Sequence, residues 1–305
     1  MINQTRAACA VLVTALTVGS LQRSEAQIPV KLRAAFPENT VTYQNVPYAN
    51  DTLKKHQLDI YLPPTSTTPM PLVVWVHGGA WNHNDKYADM GYMTNTVRAF
   101  LENGYAFASV DYRHSTTKIF PAQIHDCSQA LDFLFSNAAK YNIDKSRIAL
   151  IGFSAGGHLA SLLGLSLNNE VKNFYPSGKK PLYKLKAVID FYGPADLLMM
   201  SAKQDPEVKD PIYQLLGDSP LKRPDLARKA SPVTYVDKND PPFFIVNGEK
   251  DESVPYQQSL VLKSSLDLAG VPNEIIIVKD APHYGVMFDT EDIRVKLLNF
   301  LKTHL

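Results

Sequence analysis

Arg147-Ile148-Ala149-Leu150-Ile151-Gly152-Phe153-Ser154-Ala155-Gly156-Gly157-His158 is the stretch that decides the fold. Its first five residues read as an apolar strand, and Ala155 to about Leu167 reads as a helix. Between them stands Gly-Phe-Ser-Ala-Gly. A strand that turns straight into a helix forces the residue at the corner into a strained conformation, and small neighbours leave room for it. The turn lifts the Ser154 hydroxyl clear of the sheet and sets it over a helix N-terminus, which favours developing negative charge. A Gly-x-Ser-x-Gly met by chance in a loop has no such context. The strand–turn–helix setting favours a nucleophile at Ser154.

The chain alternates on either side of this corner. Val41–Val46 and His56–Leu62 alternate apolar and polar residues, as half-exposed antiparallel strands do, with Asn50-Asp51 as turn chemistry between them. Leu72–Val76 is continuously apolar, the pattern of a strand buried on both faces. Strands follow at Tyr105–Val110, Leu185–Phe191, Pro242–Val246 and Glu274–Val278, and helices at Gln123–Tyr141, Tyr256–Ala269 and Glu291–Leu301. Apolar strands separated by helices predict an α/β domain over 41–305: a central, mostly parallel sheet flanked by helices. Residues 27–40 read as an irregular lead-in. Residues 194–231 hold no clear strand, are rich in Pro, Lys and Asp, and are too long for a plain connection, so a cap or lid insertion is expected there.

A serine needs a base, and the base needs an acid to hold it. In a sheet of this kind the order along the chain is Ser, acid, His. Glu249, Asp251 and Glu252 all lie just beyond the strand that ends at Val246, and any of them could be the acid. His283 is the only histidine between His158 and the C-terminal His304, which makes it the base by elimination. Val76-His77-Gly78-Gly79-Ala80-Trp81 follows the buried strand at 72–76, and its adjacent glycines expose backbone N–H groups that can hold an oxyanion. Ala155 would supply the remaining N–H. Other polar residues read as structural: His77 bonding loop backbone, His158 packing or capping locally, and Tyr112, Arg113, His125 and Asp126 forming a buried network. Trp81 is either core or a pocket wall.

Composition excludes several classes. The 305 residues carry 31 Lys+Arg against 30 Asp+Glu, a net charge of +1, with no basic excess for nucleic acid or an anionic membrane. At 45% hydrophobic and 20% charged the chain is globular and not disordered. Two cysteines, Cys9 and Cys127, make no disulfide framework, and the eight scattered histidines make no metal-ligand spacing. No metal or organic cofactor is expected. Arg6 precedes an apolar run over 7–19, and Ser24-Glu25-Ala26 puts small residues where a signal peptidase reads, so 1–26 is expected to be a signal peptide cleaved before Gln27. An uncleaved anchor is the rival reading. Export takes the product to the periplasm or the medium, with Cys127 its one cysteine, buried and inert.

His77-Gly78-Gly79-Ala80-Trp81, Asp111-Tyr112-Arg113, Phe120-Pro121-Ala122-Gln123-Ile124-His125-Asp126, Gly152 to Ala160 and Asp251-Glu252-Ser253-Val254-Pro255-Tyr256 together resemble the α/β-hydrolase esterases of the hormone-sensitive-lipase-like group. The branch with bacterial acetyl xylan and feruloyl esterases is the nearest match. The resemblance covers about 41–305. It implies Ser154 as nucleophile, Asp251 as acid and His283 as base, with Gly79, Ala80 and Ala155 as oxyanion donors and Gly78 shaping the turn. Many relatives carry Gly where this chain has Ala80, which leaves the backbone donor but narrows the acyl side. The implied activity is hydrolysis of acetyl or feruloyl esters on plant polysaccharide such as xylan. Alternatives are a generalist short-chain carboxylesterase, a kynurenine-formamidase-like amidohydrolase, whose intracellular substrate fits poorly with export, and a non-enzymatic binding module, which would have lost a catalytic residue.

Overall fold

A computed structural model of the chain describes residues 28–305 apart from 65, 170, 176, 177, 179 and 202–207. The expected signal peptide lies outside the described residues. Within the lead-in, Val30–Ala35 forms a 3-10 helix that buries Leu32 and Ala35, with Phe36 stacked on Tyr61. The expectation of an irregular segment is corrected there: spaced apolar side chains find a pocket on the domain and order the turn.

Eight strands make one sheet: β1 (Val41–Pro47), β2 (Gln57–Leu62), β3 (Met70–Val76), β4 (Ala106–Val110), β5 (Ile143–Phe153), β6 (Ala187–Phe191), β7 (Phe243–Gly248) and β8 (Asn273–Val278). Their order is β1-β2-β4-β3-β5-β6-β7-β8. β1 and β2 are antiparallel, β2 runs antiparallel to β4, and every pairing from β4 to β8 is parallel. A central, mostly parallel sheet is what the alternation predicted, and its order is that of the α/β-hydrolase fold the resemblance implied.

The helices are α1 (Thr94–Glu102), α2 (Ala122–Ser136), α3 (Ala155–Ser166), α4 (Leu197–Met200), α5 (Pro211–Leu216), α6 (Pro224–Lys229), α7 (Gln257–Ala269) and α8 (Glu291–His304). Leu72, Val74 and Val76 of β3 and Ile148 and Leu150 of β5 point to one face, where they pack with Leu131 of α2, Leu159 and Leu162 of α3 and Leu262 of α7. Val73, Trp75, Ala149, Ile151 and Phe153 point to the other, among Val97 and Phe100 of α1 and Leu297 and Phe300 of α8. Period-2 alternation with both faces covered is why these strands read as unbroken apolar runs.

Most boundaries fall within three residues of the sequence reading, and two differ by more. The helix expected over 123–141 breaks at Asn137, whose Nδ2 donates to Phe133 O at 2.9 Å, and resumes as a 3-10 turn over Ala138–Tyr141. β5 begins at Ile143, four residues before the expected Arg147. Between β6 and β7 the described residues carry α4, α5 and α6 and no strand. Asp196 and Asp210 cap α4 and α5 by accepting from Met199 N and Ile212 N, with Pro211 preset for the first turn of α5.

Candidate active site

β5 ends at Phe153, and Ser154 takes φ 52° and ψ −117° before α3 begins at Ala155. A non-glycine residue in that region carries strain of about 1–3 kcal/mol. The geometry holds because the corner is tightly packed: a Cβ on Gly156 would fall 2.0 Å from Val76 O and 2.5 Å from His77 O. Only glycine lets α3 pass that close to the end of β3. Ser154 N donates to Phe191 O at 2.9 Å, tying the corner to β6.

The acid and the base come from the ends of β7 and β8. His283 Nε2 lies 2.8 Å from Ser154 Oγ, and His283 Nδ1 lies 2.7 Å from Asp251 Oδ2. Asp251 as a carboxylate can only accept, so Nδ1 donates to it and Nε2 is left to accept the serine proton. Its other oxygen accepts from Ser253 N at 2.9 Å and Val254 N at 2.8 Å. Asn247 Nδ2 donates to Oδ2 at 3.2 Å and is itself held by Ser259 Oγ on its amide oxygen at 2.8 Å. Among the three carboxylates left open by the residues alone, only Asp251 reaches the imidazole. Glu249 faces outward, accepting from Asp280 N at 3.0 Å, and Glu252 is exposed.

On the other side of Ser154, Gly79, Ala80 and Trp81 have φ of 122°, 48° and 58°. Three successive positive φ values turn the segment back on itself, and Asn82 N and His83 N close it by donating to Gly79 O at 3.0 and 3.1 Å. Gly79, Ala80 and Ser154 line one cavity of about 630 Å³ with His283, Tyr284 and Ile212. Met200 of α4 and Asp210 and Pro211 at the start of α5 complete its far wall. Among the described residues no three His, Cys, Asp or Glu side chains are grouped to hold a metal ion.

The residues read as structural sort unevenly. His77 is fully buried, with Nδ1 2.7 Å from Gly78 O and its ring stacked on Tyr112. His158 bridges rather than caps: Trp81 Nε1 donates to its Nδ1 at 3.1 Å, so its Nε2 donates to Ala230 O at 2.7 Å, just past α6. Trp81 is therefore both core and wall, buried yet lining the cavity. Arg113 clasps Asp126 through Nε and Nη2 at 2.6–3.1 Å. His125 is half-buried outside that pair, and His56, 3.3 Å from Asp126, takes the place expected for it. Asn247, Asp89, Tyr92 and Tyr192 were not singled out by the sequence. Polar residues at strand ends and in loops look like turn chemistry until their partners are known.

Residues 58–266, more than half of the chain, match the BD-FAE family. The chain belongs to that family. Among solved structures it is similar to a truncated form of a carbohydrate esterase from gut microbiota, at 32% identity and a TM-score of 0.76, over 88% of this chain and 98% of that one. It is also similar to a bifunctional GH43-CE of Bacteroides eggerthii, at 34% identity and a TM-score of 0.78, over 86% of this chain and 35% of that one. The esterase LipC of Mycobacterium tuberculosis is 31% identical over 195 residues, 63% of this chain and 47% of LipC. The chain spans about half the length of the curated relatives it matches.

Proposed function

We propose that this chain is a carboxylic ester hydrolase that works through an acyl-enzyme on Ser154, and that its substrates are acetyl or feruloyl esters of plant polysaccharide. The observation that carries the reading is the continuous line from Ser154 Oγ to His283 at 2.8 Å and on to Asp251 at 2.7 Å, at the wall of an open cavity. His283 takes the serine proton as Oγ attacks the ester carbonyl, and Asp251 keeps the tautomer and favours the imidazolium that forms. The N–H groups of Gly79, Ala80 and Ala155 stabilise the oxyanion. The imidazolium returns its proton to the leaving alcohol, and water then releases the acyl group by the same steps in reverse order.

The names of the two carbohydrate-esterase-related neighbours, both above 30% identity, support a carbohydrate alcohol. The leader-like residues 1–26 support export to the periplasm or the medium, where such polymers are met. The likeness to LipC, named only as an esterase, favours a generalist short-chain carboxylesterase as the second reading. Purified protein given acetylated xylan, methyl ferulate and a p-nitrophenyl ester series separates them. The proposal expects acetate or ferulate released from polysaccharide or methyl ferulate at a kcat/KM matching or exceeding that on p-nitrophenyl acetate. Turnover confined to p-nitrophenyl esters supports the generalist, and no turnover of any ester overturns both.

A further inference from the structure

Asp89 lies in the loop between β3 and α1, on the cavity wall, with φ 69°. Its carboxylate has two fixed partners. Gly78 N donates to Oδ2 at 2.6 Å, and Tyr92 Oη donates to Oδ1 at 2.6 Å. Tyr92 has one proton, which the carboxylate takes, so the 2.9 Å contact between Tyr92 Oη and Tyr192 Oη needs Tyr192 as the donor. Tyr192 in turn is buried with its ring 4.9 Å from the His283 imidazole, and its N donates to Val246 O at 2.7 Å. These directions hold for the ionised Asp89, whose pKa burial pushes up while the bonds from Tyr92 and Gly78 N pull it back. The line runs from the glycine segment beside Ser154, through Asp89 and two tyrosines, to the wall against which His283 rests.

The glycine end is clamped. A Cβ on Gly78 would stand 2.8 Å from Phe153 O and 3.3 Å from Asp89 Oδ2. The segment therefore sits between the last residue of β5 and the Asp89 carboxylate, with no slack on either side. Its successors at 79–81 keep positive φ, which in Ala80 and Trp81 is uphill for an L-residue. Asn82 N and His83 N close that turn on Gly79 O, and at its start Asp89 accepts from Gly78 N, the one side-chain grip on the first N–H of the segment.

We infer that Asp89 is a positioning residue: by holding Gly78 N it fixes the Gly79 and Ala80 N–H groups relative to Ser154 and, through Tyr92 and Tyr192, keeps that segment in register with His283. This rests on the esterase reading. The donors act on charge that exists only in the transition state, so loosening them lowers kcat and spares KM. A misplacement of about 1 Å costs on the order of a hundredfold.

The test is a set of folded variants assayed on p-nitrophenyl acetate, with Ser154→Ala in parallel. Asp89→Ala is expected to lower kcat about 30- to 300-fold with KM within about threefold. Asp89→Asn keeps an acceptor for Gly78 N and a polar partner for Tyr92, and is expected to recover kcat to within about tenfold of wild type. Tyr92→Phe, which removes one hydroxyl and no charge, is expected to lower kcat about three- to tenfold at unchanged KM. It carries the test if Asp89→Ala does not fold. Asp89→Ala or Tyr92→Phe at wild-type kcat overturns the inference, as does Asp89→Asn falling as low as Asp89→Ala. If Ser154→Ala is inactive while Asp89→Ala is fast, the esterase reading stands and this inference fails. Wild-type protein inert on every ester overturns both.

Discussion

The cavity has two walls built on different principles. The Ser154 side is made from strand ends that approach each other to atomic contact, with Gly156 and Gly78 fitted where no Cβ could stand. The opposite side is made from α4 and α5, of 4 and 6 residues, each capped by an aspartate and contributing Met200, Pro211 and Ile212. Backbone packing sets the frame of the first wall, and buried side chains such as Asp89 and Asn247 hold its loops in place. The second is attached by separate ties: Asn82 Nδ2 to Gln214 Oε1 at 2.7 Å, Phe120 N to Leu215 O at 2.7 Å, Ala195 N and Asp196 N to Gln258 Oε1 at 2.9 and 2.8 Å, and, at the end of α6, His158 Nε2 to Ala230 O at 2.7 Å. The difference separates rate from choice: changes on the strand-end wall should strike kcat, and changes on the short-helix wall should strike discrimination between substrates.

The largest expected effect is on the first wall. Ser154→Ala should lower kcat on p-nitrophenyl acetate by about 10⁴- to 10⁶-fold with folding intact, read by thermal melting and turnover together. Asp251→Asn should cost about 10³- to 10⁴-fold, because an amide there can stabilise the wrong imidazole tautomer. Glu249→Gln and Glu252→Gln should stay within about threefold. Equal losses at all three would break the claim that one carboxylate alone reaches His283.

On the second wall, Ile212→Ala should leave kcat/KM on acetate within about threefold. It should raise the octanoate-to-acetate ratio about tenfold, the scale of removing a few methylenes from an apolar pocket. A p-nitrophenyl ester series reads both numbers. A loss of acetate turnover with no change in the ratio would mean that the two walls are not separable.

The smallest effect concerns the tie between them. Burial keeps His77 and His158 neutral, pushing their pKa from 6.5 down to about 3 and about 4. In the unfolded chain both titrate near 6.5, so below that pH the unfolded state takes up protons that the folded state refuses. Their stabilising effect is whole above pH 6.5 and is lost progressively as the pH falls toward 4. Tm should therefore drop by several degrees between pH 7 and pH 5, and His158→Asn, though less stable at pH 7, should show a shallower drop. Parallel slopes would assign the acid sensitivity to other groups.

What the sequence disclosed follows the same division. The elbow at Ser154 was legible because a strand, a turn and a helix declare themselves within a dozen residues, and the parallel sheet followed from apolar runs such as Leu72–Val76. The choice among Glu249, Asp251 and Glu252 was not legible from the residues, because it depends on Asn247 and on the backbone of Ser253 and Val254 turning toward one of them. The resemblance to known esterases pointed to Asp251. α1 escaped notice because Thr94–Glu102 has a polar start and no side-chain cap, and its order comes from burying Val97, Phe100 and Leu101 against the sheet. His125 was taken for a network member and His56 was not, since pairing with Asp126 is decided by β2 lying beside β4.

The most direct test of the account is covalent labelling of the wild-type protein by a p-nitrophenyl alkylphosphonate, followed by intact-mass and peptide mapping. One adduct per chain is expected, on Ser154, forming in step with loss of ester turnover and absent from Ser154→Ala. An adduct on another residue, or full loss of turnover with Ser154 unmodified, would contradict the assignment of the nucleophile on which the rest depends.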